Sequence, residues 1–102
     1  MENTRHLDWK HGDWAGRVHH KSKDHVRLIE CINNGLSDFY GMNTGITYHT
    51  QKSPAKLFGL PWIKCTMPDG SVGRIFLVKN QYGIWDIDWE GENAKKADAE
   101  AV

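Results

Sequence analysis

The stretch from Leu60 to Trp89 constrains this chain more than any other. Three apolar, β-branched or aromatic runs, Trp62 to Met67, Val72 to Lys79 and Ile84 to Trp89, are separated by Pro68-Asp69-Gly70-Ser71 and Asn80-Gln81-Tyr82-Gly83. Short runs of that composition bounded by turn residues predict an antiparallel meander. Pro68 presets φ near −65° and Gly70 accepts positive φ, which suits a tight hairpin. Successive strand side chains point to opposite faces. Ile63, Cys65 and Met67 therefore share a face, with Trp62, Lys64 and Thr66 on the other. Ile75 and Leu77 are set against Arg74, Phe76 and Val78. Trp85, Ile87 and Trp89 are set against Ile84, Asp86 and Asp88. The middle run is apolar on both faces, so it predicts a central strand covered at least partly on both sides.

Upstream, Leu28, Ile29 and Ile32, with Val26 one turn earlier, form an apolar stripe of helical period. Ser22 or Asp24 is the expected N-cap and Gly35 the expected stop, giving a helix over 23–34. The competing reading is a strand over 25–32 turning at Asn34-Gly35. Ile46 to Thr50 has strand composition. Ser53-Pro54 followed by Gly59 predicts a short helical turn. Trp9, Trp14 and a short strand over 13–19 are expected to dock on the main sheet or on another subunit. The predicted architecture is α+β, with one main α-helix packed on an antiparallel sheet of four or five strands that ends in the three-stranded C-terminal meander. One domain spans 1–91. Residues 92–102 are expected to be a charged tail, disordered or a frayed helix, since ten residues are marginal as an isolated helix.

Length and charge narrow the functional classes. The chain has 102 residues, enough for one domain, with 13 Lys/Arg against 13 Asp/Glu. The balance is uneven: residues 1–82 carry 11 basic against 7 acidic side chains, and residues 83–102 carry 2 against 6. No apolar run approaches the roughly 18 residues of a membrane span. The polar start, Glu2 to Lys10, has no apolar segment typical of a secretory signal. Cys31 and Cys65 form no Cys-x-x-Cys pair and read as small buried hydrophobes in a reducing, cytoplasmic setting, a single bridge between them being the alternative.

Chemical motifs are sparse. Four of the six histidines (His6, His11, His19 and His20) lie in the first 24 residues. Adjacent His19 and His20 would point to opposite faces of a strand, and zinc needs three or four converging ligands. Asp86 and Asp88 share a strand face, which reads as a solvated face with cross-strand ion pairs. No Gly-x-Ser-x-Gly, phosphate-loop or dinucleotide fingerprint occurs, so no catalytic residue, metal or cofactor is assigned. The order Asp24-His25, Asn34, His49 is similar to the Asp-His, Asn, His order of HNH nucleases. There the histidine acts as base and later residues hold a metal on a ββα element. Here the intervals depart from that pattern, and the segment after Asp24 reads as helix.

Aromatic content points elsewhere. Five Trp, three Tyr and three Phe exceed what a small core requires. Trp62, Phe76 and Tyr82 fall on or near the face that carries Lys64 and Arg74. Aromatics interleaved with cations suit a protein partner or stacked bases. The expected function is a non-enzymatic binding module using Trp62, Lys64, Arg74, Phe76 and Tyr82, docking a protein partner or a second copy as a homodimer. The alternatives are single-stranded nucleic-acid binding by the same face, and a small hydrolase or metal-dependent nuclease using His19, His25 or His49 with Asp24.

Overall fold

The residue patterns translate into a helix, then a run of short antiparallel strands, then a second helix. The computed structural model describes residues 23–52, 55–57 and 59–101. Helix α1 spans Asp24–Asn34. It is followed by β1 (Phe39–Tyr40), β2 (Thr47–His49), a 3₁₀ turn (Thr50–Lys52), β3 (Ala55–Leu57), β4 (Leu60–Thr66), β5 (Val72–Lys79), β6 (Trp85–Ile87) and helix α2 (Glu92–Ala101). The strands form one antiparallel sheet in the order β1-β2-β4-β5-β6, with β3 paired to β4. The fold is α+β with one main helix.

Helix α1 buries Leu28 and Ile32 against the sheet, while Val26 on the next turn is 67% exposed. The buried stripe is thus narrower than the spacing suggests. Gly35 ends the helix at φ 63°, its N–H and that of Leu36 returning to the last carbonyls. That left-handed cap terminates a helix without the steric cost a Cβ would bring. The hairpin alternative for residues 25–40 is thereby replaced. Asp24 is no exposed cap but a buried anchor. Its carboxylate accepts hydrogen bonds from the Asn43 and Thr44 backbone N–H groups at 2.8 and 3.1 Å, and from the Asn43 side-chain amide at 3.2 Å. Gly41 lies so close to this anchor that a Cβ there would sit 2.8 Å from Asp24 Oδ2.

Strands β2 and β3 share one edge of β4. His49 stands opposite Lys64, which would put residue 51 opposite Trp62, yet Ala55 stands there. The 3₁₀ turn Thr50–Lys52 lies between the two strands, and residues 55–57, expected as part of a helical turn, are strand. Ser53, Pro54 and Phe58 lie outside the described residues, as does the whole segment 1–22 with Trp9, Trp14 and four histidines.

The sheet face toward α1 holds Ile63, Cys65, Met67, Ile75, Leu77 and Ile87, joined by Tyr48, Ile46 and Phe39. Trp85 and Trp89 pack half-buried against this core. Cys65 is fully buried and Cys31 half-buried, both as free thiols. Burial pushes the Cys65 thiol well up from its ordinary value, and burial likewise raises Tyr48, whose hydroxyl contacts Thr44 Oγ1 at 3.0 Å.

The opposite face is partly covered by α2, in the segment expected as a disordered tail or a frayed helix. Residues read as a tail form a helix whose Ala97 is fully buried against Phe76, with Leu60 and Trp62 beside them. Asp88, read as solvated, is 7% exposed and starts that helix. Its carboxylate accepts the N–H groups of Glu92 and Asn93 at 3.1 and 2.5 Å. The Asn93 side chain then donates to the Leu77 carbonyl at 2.7 Å, pinning the helix to β5. A short helix that is marginal alone forms because a carboxylate satisfies its first turn and a sheet face takes its apolar side. Among the described residues no helix is long and apolar enough to cross a membrane.

Candidate functional site: a basic row on the sheet face

Register decides what the face beside α2 can do. His49 pairs with Lys64, and Lys64 with Arg74, so three basic side chains stand in one row across three adjacent strands. At the usual strand spacing the row spans about 10 Å. Thr47, Thr66 and Val72 form the next row along the strands, and Trp62 with Phe76 the row on the other side.

The predicted site residues divide accordingly. Lys64 is exposed and makes no ion pair among the described residues. Arg74 is half-buried with its guanidinium 5.0 Å from the Trp62 ring centroid, a cation–π contact. Trp62 is half-buried, and its indole N–H has no hydrogen-bond partner among the described residues. Phe76 lies on the same face but is only 4% exposed, because α2 sits on it. Tyr82 is brought to neither row: it sits in the β5–β6 turn, 77% exposed. The structure therefore gathers Trp62, Lys64 and Arg74, seals Phe76 and sets Tyr82 apart.

Two residues absent from the predicted set join the face. His49 Nδ1 lies 2.9 Å from Asp38 Oδ2, and its Nε2 lies 2.8 Å from Thr66 Oγ1. The sequence placed His49 on a strand and Thr66 beside Lys64, but nothing in it states the register that makes them neighbours. Asp38 carried no signal at all.

The other described histidine, His25, lies beside Asp24 in the chain. Asp24 spends its carboxylate on residues 43 and 44, while the His25 ring lies 5.1 Å from that of Trp89. Among the described residues Asp24, His25 and His49 form no common cluster; His19, the remaining histidine of that alternative, lies outside the described residues. Among the described residues no group of three or more His, Cys, Asp or Glu side chains converges on a common point.

A second concavity, of about 480 Å³, lies between α1 and β6, with Val26, Ile29, Glu30, Ile84 and Trp85 on its walls. There Asn33 closes the outer edge of β6, accepting the Trp85 N–H at 2.7 Å and donating to its carbonyl at 3.0 Å. A side-chain amide that imitates a neighbouring strand removes a template for edge pairing.

Comparison with protein-family models, curated proteins and solved structures finds no match to the chain.

Proposed function

We propose that this chain is a small interaction module that docks an acidic surface of a protein partner, a second copy of itself included, on the open end of its aromatic and basic sheet face. The observation that carries this reading is the Lys64–Arg74 cross-strand pair, with Trp62 at its border. Like charges directly opposite one another weaken a sheet. Lys64 is the exposed charge of the pair and the one an anionic surface would meet. Burial of Phe76 under α2 removes one aromatic from the contact area, so the reading rests on the cations and on Trp62 at their border. The chain's own segment 83–102, with six acidic residues against two basic, supplies charge of the required sign on a second copy.

The test is sedimentation of the full chain alone, with a fluorescent polyglutamate peptide, and with an oligothymidylate. The expected result is self-association or peptide binding that weakens as salt rises from about 50 to 200 mM, as screening of exposed charges requires. It should be lost in the double variant Lys64→Glu, Arg74→Glu. Binding of the oligonucleotide in preference to the peptide would reassign the face to single-stranded nucleic acid. No association at low salt in any mixture would end the reading.

A further inference from the structure

The chain Asp38–His49–Thr66 has a chemistry that docking does not use. Its two hydrogen bonds, 2.9 and 2.8 Å, engage both ring nitrogens of one imidazole. An ionised carboxylate only accepts, so Nδ1 carries the proton toward Asp38. In the neutral ring Nε2 is then an acceptor, and the Thr66 hydroxyl donates to it. Both hydrogen bonds therefore point from Thr66 toward Asp38. A hydroxyl hydrogen-bonded to a base, with the base oriented by a third group, is the arrangement that activates an oxygen nucleophile. The three residues come from separate elements: Asp38 from the segment before β1, His49 from β2 and Thr66 from the end of β4. His49 and Thr66 form a diagonal pair on one sheet face, since Thr66 stands opposite Thr47 and His49 opposite Lys64. Thr66 is half-buried, and the neighbouring Lys64 is exposed.

We propose that Thr66 is an acyl-accepting nucleophile toward carboxylic esters, with His49 as its general base and Asp38 as the residue that orients the imidazole. Thr66 Oγ attacks the ester carbonyl carbon and forms the new C–O bond, while its proton passes to His49 Nε2. The carbonyl π electrons move to oxygen, and Lys64 supplies positive charge on the same face. Collapse of the tetrahedral species breaks the bond to the alcohol oxygen, which leaves with the proton from Nε2. The product is an ester on Thr66. Water, giving its proton to Nε2, then releases the carboxylic acid and restores the hydroxyl.

The experiment uses the full chain with p-nitrophenyl acetate, followed by release of p-nitrophenol, intact mass and peptide mapping. The expected result is one acetyl group per chain, mapped to Thr66 and released with time. Thr66→Ser retains the adduct. Thr66→Val, which keeps the shape but lacks the hydroxyl, loses it. His49→Gln slows acylation by about 10²-fold or more, the usual weight of a general base. Asp38→Asn slows it with the fold unchanged by circular dichroism. Acetyl groups found on lysines alone, or equal rates for the parent chain and His49→Gln, would overturn the proposal. In that event the three residues only fasten the segment before β1 to the sheet, and their loss lowers the unfolding midpoint and nothing else.

Discussion

Replacing Asp24 by alanine tests how this small domain holds its largest loop. The carboxylate is 3% exposed and accepts two backbone N–H groups and one amide from residues 43 and 44. Alanine leaves those part-buried backbone donors without their acceptor. An orphaned buried donor costs about 1–3 kcal/mol. Two such donors, partly relieved by water entering the vacated volume, give about 3 kcal/mol. For a chain of this size that corresponds to a fall in Tm of roughly 12–24 °C, at about 4–8 °C per kcal/mol. Asp24→Asn keeps one carbonyl oxygen for the backbone donors, and the Asn43 amide can turn to meet its new NH₂ group, so its cost is about 1 kcal/mol. Urea unfolding followed by tryptophan fluorescence measures both variants, and amide exchange at residues 43 and 44 reports the local effect. An alanine variant within about 1 kcal/mol of the parent, or an asparagine variant as costly as alanine, refutes the reasoning.

The remaining predictions concern α2 and the buried acids. Asp88→Ala removes the acceptor for the Glu92 and Asn93 N–H groups and should cost about 1–2 kcal/mol, the weight of a helix cap. Its signature is faster amide exchange throughout 92–101 and dye binding at the uncovered Phe76; unchanged exchange in α2 would contradict the capping role. Cys65 and Tyr48 keep their protons in the folded chain at pH values where the unfolded chain gives them up. Their contribution is therefore full below the ordinary thiol range and is lost as pH rises, so the urea midpoint should fall above about pH 9. Cys65→Ala and Tyr48→Phe should each flatten that fall, and a slope unchanged in both variants would refute the assignment.

Local chemistry was legible along the chain. Gly70 and Gly83 take positive φ in the turns, and Gly35 does so at the end of α1, because few other residues tolerate that conformation. The alternation of Ile63, Cys65 and Met67, and of Ile75 and Leu77, marked the buried face because the period of a strand is fixed at two. What lay beyond reach depended on partners distant in sequence. Residues 92–101 read as a weak helix on propensity alone; Asp88 and the face around Phe76 supply the cap and the apolar contact that hold it. His49 and Thr66 are separated by 17 positions and meet only through the β2–β4 register. That register follows from side-chain packing across the strands, not from any local preference. Composition and periodicity by themselves determined which residues turn and alternate. Tertiary structure alone decided which cations stand in a row, which aromatic is sealed and which hydroxyl meets an imidazole, since strand register and helix docking minimise the energy of the whole chain rather than of any one segment.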